Sequence, residues 1–117
     1  MTKKSFTKHS LSPDCLRILS ALGERIRFAR KRRGMTLSDL AAGMLSSPST
    51  VQRLERGDAG LSLGVCMAAL MCLGLEKDLE HVAAMETDAG ALAHDRRRLM
   101  GKRRRAVTPE EAFFDAP

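Results

Sequence analysis

TLSDLAAGMLSSPSTVQRLERG, Thr36 to Gly57, reads as one short helix, a bend and a second short helix. Thr36 stands as an N-cap, with Asp39 three residues on as a shorter counterpart of the Glu of a capping box. Leu37, Leu40, Ala41 and Met44 follow at helical spacing and face inward. Leu45, Ser46 and Ser47 make a bend. Ser47 caps a second helix, and Pro48 takes its first position, where a missing N–H costs nothing. Val51 and Leu54 are the apolar anchors of that second helix, and Gly57 ends it. The side left over carries Ser47, Pro48, Ser49, Gln52 and Arg53, which are small or polar.

Upstream, residues 1–12 read as a loose arm rich in Lys, Ser and Thr, and Pro13 marks the start of order. Leu16, Leu19, Leu22, Ile26 and Ala29 form one helical stripe that runs to the basic cluster Arg30, Lys31, Arg32, Arg33 before Gly34. Gly23 weakens that helix and divides off its first turns as a separate segment. Downstream, Asp58, Ala59 and Gly60 form a loop and Ser62 is a further N-cap. LGVCMAALMCLG, Leu63 to Gly74, is apolar nearly all the way round, so more than one side of it needs a cover. The core covers one side and a second copy of the chain is the simplest cover for the other, through Leu63, Met67, Leu70 and Met71. A last short helix around Lys77 to Met85 is expected to bring Leu79, Val82 and Ala83 to the same core. Residues 13–86 thus form the domain. Residues 87–117 read as a tail, in which ALAHDRRRLMGKRRRA can be partly helical but is dominated by charge, basic from Arg96 to Arg105 and then acidic, with Phe113 and Phe114 exposed.

A chain of 117 residues with four Phe, no Trp and no Tyr, but much Leu, Ala and Met, is expected to be all-α. Its formal charge of +6 favours a polyanionic partner, through counterion release from phosphates. Cys15, Cys66 and Cys72 form no C-x-x-C pair, and no His stands beside them at ligand spacing, so neither a disulfide framework nor a metal site is expected. Cys66 and Cys72 read as small hydrophobes, and His81 and His94 as lone imidazoles. No Ser, His and acid set, Gly-rich phosphate loop or carboxylate pair stands out, so no enzyme and no cofactor is expected. No apolar run reaches the roughly 20 residues of a membrane span, and no apolar core follows the charged N-terminus. The chain is expected to be cytoplasmic, and at the nucleoid when bound to DNA.

Ala41, Val51 and Leu54 can lock the two short helices at a steep angle with the polar side of the second turned outward, which is a helix-turn-helix. A helix with so small an outer face fits deep in a major groove. Ser47 and Ser49 can reach phosphates or bases, Gln52 can pair with adenine, and Arg53 can fork onto guanine. Pro48 and Thr50 complete that face. Arg56 at the helix end, Arg33 and Thr36 are placed for phosphates, although a cation in a last turn also serves the helix dipole alone. Double-stranded DNA with a palindromic operator, read by a homodimer, is the expected partner.

From Leu22 to about Ala84 the chain resembles the lambda-repressor and Cro type (XRE) of helix-turn-helix domain, through LGERIRFARKRRGMT, DLA and STVQRLERG in that order without insertion. The resemblance implies a five-helix domain and a structural ion pair between Arg30 and Glu55. At the bend the family usually has Gly-Val where this chain has Leu45 and Ser46. RLERGDAGLSLGVCMAALMCLGLEKDLEHVA is further similar to HipB-like regulators encoded beside HipA-type kinase toxins. That likeness implies a dimeric antitoxin that represses its own operon and binds the toxin, with Phe113 and Phe114 as toxin contacts. Two other readings stay open: a protein-interaction antitoxin module whose main task is toxin neutralisation, and a solitary helix-turn-helix repressor.

Overall fold

The computed structural model describes residues 9–101. Ser12 accepts the Cys15 N–H at 3.1 Å and Pro13 follows it, so helix α1 (Pro13–Arg32) begins at a capped end with proline at its first position. α1 does not divide at Gly23 as the sequence led us to expect. A Cβ there would overlap the Glu55 carbonyl and stand 2.8 Å from the Leu54 carbonyl oxygen, so the glycine marks a close helix crossing. Loss of helix propensity, about 1 kcal/mol against alanine, is what that approach costs.

Three shorter helices follow: α2 (Leu37–Gly43), α3 (Pro48–Glu55) and α4 (Leu63–Leu73). Each starts at a hydroxyl that accepts the backbone N–H three residues on: Thr36 from Asp39 at 3.0 Å, Ser47 from Thr50 at 3.2 Å, Ser62 from Val65 at 3.1 Å. The Thr36 backbone N–H donates in return to Asp39 Oδ2 at 2.8 Å, completing the capping box. α4 is followed by a 3-10 segment, Glu76–His81.

These helices enclose one core. Ile26 and Ala29 come from α1, Leu40 and Ala41 from α2, Val51 and Leu54 from α3, and Cys66, Ala69, Leu70 and Leu73 from α4. Leu40 and Val51 at its centre are fully buried. By area alone, burying a side chain of this size stabilises by about 1.5 to 3 kcal/mol. Leu70 therefore belongs inside, at 5% exposure, and not on the outer stripe where the sequence placed it with Leu63, Met67 and Met71. Those three remain exposed, spaced four residues apart along one face.

Contacts divide the chain between Leu79 and Glu80. Leu79 packs on the core as expected, but Val82 is 66% exposed and Ala83 is exposed in a left-handed turn with φ 56°. In place of a regular helix to Met85 there is the 3-10 segment, although Val82 and Ala83 follow Leu79 at helical spacing. In the second unit, α5 (Ala89–Gly101) replaces part of the expected tail with helix. Asp88 accepts the Ala91 N–H at 3.0 Å, and Ala89, Ala91 and Ala93 favour the helix. None of its residues is buried. Among the described residues no helix is long and apolar enough to cross a membrane.

Candidate nucleic-acid interface

α3 has two faces of opposite character. Val51, Leu54 and Glu55 point inward, while Ser47, Pro48, Ser49, Gln52 and Arg56 are exposed; Thr50 and Arg53 are half-buried. At its N-terminus the Ser47 hydroxyl lies 3.1 Å from Ser49 Oγ and 3.0 Å from Thr50 Oγ1, besides taking the Thr50 N–H. Three hydroxyls thus cluster where a helix offers free N–H groups and a positive dipole end, a polar surface suited to phosphate or base edges.

The bend before it is built without glycine. Leu45 N–H donates to Ala42 O at 3.1 Å and Ser46 N–H to Ala41 O at 2.9 Å, the paired bonds of a Schellman end. Leu45 takes the left-handed position with φ 55°. At the end of α3 the same pair of bonds runs from Gly57 to Leu54 and from Asp58 to Arg53, with Gly57 at φ 78°.

Arg30 and Glu55 join α1 to α3. Nε donates to Oε2 at 2.7 Å and Nη2 to Oε1 at 3.0 Å, and Nη1 donates to the Met35 carbonyl at 2.8 Å. Both side chains are nearly buried, at 7% and 6% exposure. The hydrogen bond to Glu55 outweighs desolvation and raises the Arg30 pKa above its ordinary value. This is a bidentate pair with its donors engaged, so it positions α3 and offers no free chemistry.

The remaining site residues are distributed unevenly. Arg33 is exposed, and its Nη1 donates to Ala29 O at 2.8 Å, closing the end of α1. Arg32 lies over the Phe28 ring, 5.6 Å from its centroid. Thr36 is exposed but its hydroxyl serves the capping box, and hydrogen bonds from Thr36, the backbone N–H first, hold the Asp39 carboxyl below its ordinary pKa. Arg53, assigned from sequence to guanine, places Nε 2.8 Å from Asp58 Oδ2 instead of pointing outward alone. Asp58 also accepts the Gly60 N–H at 2.7 Å. Asp58 and Gly23 escaped the sequence reading: Asp58 sits five residues beyond Arg53, off the helical spacings, and Gly23 reads as a weakness until its neighbour is known.

Cys66 is buried, and burial pushes its thiol pKa up, as suits a core side chain. Among the described residues no three His, Cys, Asp or Glu side chains gather to hold a metal. Phe113 and Phe114, residues 1–8 of the arm and residues 102–117 of the tail lie outside the described residues.

Residues 26–79 match the family model for the helix-turn-helix. No curated protein and no solved structure matches the chain. The matched segment runs from Ile26 of α1 through the capped α2 and α3 to Leu79, the last residue of the first unit. Its helices have the all-α arrangement of lambda-repressor-like domains, and a helix-turn-helix over residues 26–79 supports a DNA-binding role in transcription regulation.

Proposed function

We propose that the protein is a homodimeric, sequence-specific repressor that reads a palindromic operator with α3. The observation that carries this is the outer face of α3: Ser47, Pro48, Ser49 and Gln52 are exposed on a helix whose inner face is buried and whose orientation the Arg30–Glu55 pair fixes. Small side chains allow close approach to base edges, and Gln52 can bond adenine in two places. Arg56, Arg33 and Thr36 supply or frame phosphate contacts around it. The exposed stripe Leu63, Met67 and Met71 is the surface through which a second copy would complete the cover of α4.

Affinity selection from random duplexes with the full chain tests the reading. Enriched sequences should be palindromic, with half-sites about 34 Å apart, one duplex turn. Enrichment of isolated half-sites, together with a monomer in sedimentation at micromolar concentration, defeats the dimeric reading; no enrichment defeats sequence-specific recognition. Met67→Asp on the exposed stripe should abolish the dimer without touching the core.

Resemblance to HipB-like regulators, carried by RLERGDAGLSLG and the run after it, supports a finer role: antitoxin to a HipA-type kinase and repressor of the shared operon. In that role Phe113 and Phe114 contact the toxin. Pull-down of the neighbouring gene product by the full chain, and its loss on truncation after Val107 with DNA binding retained, are the expected results. Retention of the product by the truncated chain would move the contact to the folded body.

A further inference from the structure

Arg53 occupies the outer half of the recognition helix, yet its guanidinium is turned along the chain. Nε bonds Asp58 Oδ2 at 2.8 Å, with the two side chains 34% and 30% exposed. Asp58 Oδ1 takes the Gly60 N–H at 2.7 Å, and the Asp58 N–H returns to the Arg53 carbonyl at 3.1 Å. One carboxylate therefore ties the last turn of α3 to the loop leading into α4. Arg53 Nη2 is buried and, among the described residues, has no hydrogen-bond partner. A solvated arginine satisfies all five donors with water, so this one is held in place by the loop at the expense of a donor.

The turn in question is also the one that leans on α1. At Gly57 a Cβ would stand 2.6 Å from Leu19 O and 2.7 Å from Ser20 Cα. With α3 only eight residues long, where its C-terminal end rests on α1 decides how its N-terminal hydroxyls are presented.

We propose that Arg53 governs DNA sequence recognition as a positioning residue, through its clamp on the Asp58–Gly60 loop, and not by touching a base. The inference rests on the reading of α3 as the recognition helix. Direct reading and clamping make opposite demands on Asp58. If Arg53 forks onto guanine, Asp58 competes for it and adds a negative charge near phosphates, so removing Asp58 tightens binding or leaves it alone. If the pair is a clamp, removing either partner loosens the same turn.

The test is a double-mutant cycle on the full chain, Arg53→Ala, Asp58→Ala and both together, measured on the duplex that the wild-type chain selects from a random library and on a scrambled duplex. Both single variants should lose roughly threefold to tenfold on the selected duplex, with the double variant no worse than either. On the scrambled duplex the two should move in opposite directions, following their charge. Arg53→Lys, which keeps the charge and the pairing but not the fork, should bind the selected duplex within about twofold of wild type. Melting followed by circular dichroism confirms that each variant is folded. A folded Asp58→Ala that binds the selected duplex as well as wild type, or better, overturns the clamp; so does an Arg53→Lys that falls as far as Arg53→Ala. A wild-type chain with no preference for any duplex overturns the recognition-helix reading itself, which separates that failure from failure of the clamp alone.

Discussion

At its C-terminal end α3 is fixed from three directions: the buried Arg30–Glu55 pair, the half-buried Arg53–Asp58 pair, and the approach of Gly23 and Gly57 to backbone across the α1 crossing. At its N-terminal end the outer face is held by local hydrogen bonds of Ser47 and the inner face by Val51 in the core, behind a bend whose Leu45 is 95% exposed and in a left-handed conformation. One end carries ion pairs and close backbone approaches, the other a cap and one buried side chain. If α3 reads DNA as proposed, this build sets its register from the end away from the hydroxyl cluster, and leaves the hydroxyl end open to change with less loss of stability.

Breaking the buried pair should have the largest effect. Glu55→Gln leaves the Arg30 charge without its counter-charge at 7% exposure, a loss of about 3 to 5 kcal/mol in urea denaturation. Asp58→Asn, at a pair that is a third exposed, should cost under about 1 kcal/mol once solvent screening is allowed for. Equal losses for the two would erase the distinction between a pair that joins helices and one that ties a loop.

Gly57→Ala probes the same end without charge. The new methyl meets the Leu19 carbonyl in a backbone conformation with φ 78°, so strain and overlap together should cost about 1 to 3 kcal/mol by thermal unfolding. At the other end, Ser47→Ala removes one cap, and about 1 kcal/mol should follow. A Ser47→Ala variant less stable than Gly57→Ala would reverse the assignment of which end carries the helix.

Short-range features were legible in the sequence because their physics is local. The capping box of Thr36 and Asp39, the cap at Ser47 with Pro48 behind it, the cap at Ser62 and the stop at Gly57 all lie within one turn of the residues that reveal them. The inward positions Leu40, Ala41, Val51 and Leu54 followed from spacing on an amphipathic helix. α4 gives no such guide: apolar on every side, it does not announce which face meets the core, and so its pattern assigns Leu70 to the face of a second copy. Arg30 and Glu55 are 25 residues apart, and only the family resemblance linked them. The tie from Arg53 to Asp58 depends on the left-handed turn at Gly57, which brings a residue five positions on back beside the helix. Near the end of the described residues the charge from Arg96 onward leaves helix only a partial expectation, whereas the alanines and the Asp88 cap start α5.

The smallest effect, and the one of opposite sign, is expected at Leu45. A left-handed leucine costs roughly 1 to 2 kcal/mol against its preferred conformations, and glycine in its place removes that strain while adding about 0.5 to 1 kcal/mol of chain entropy to the unfolded state. At 95% exposure the leucine side chain buries almost nothing, so its loss forfeits little packing. Leu45→Gly should therefore stabilise the domain by about 0.5 to 1 kcal/mol, raising the melting temperature by a few degrees for a domain of this size. Leu45→Ala is the control: it removes the side chain but keeps the unfavourable φ, and should melt close to wild type. If Leu45→Gly instead lowers the melting temperature, the exposed leucine stabilises the bend that leads into α3.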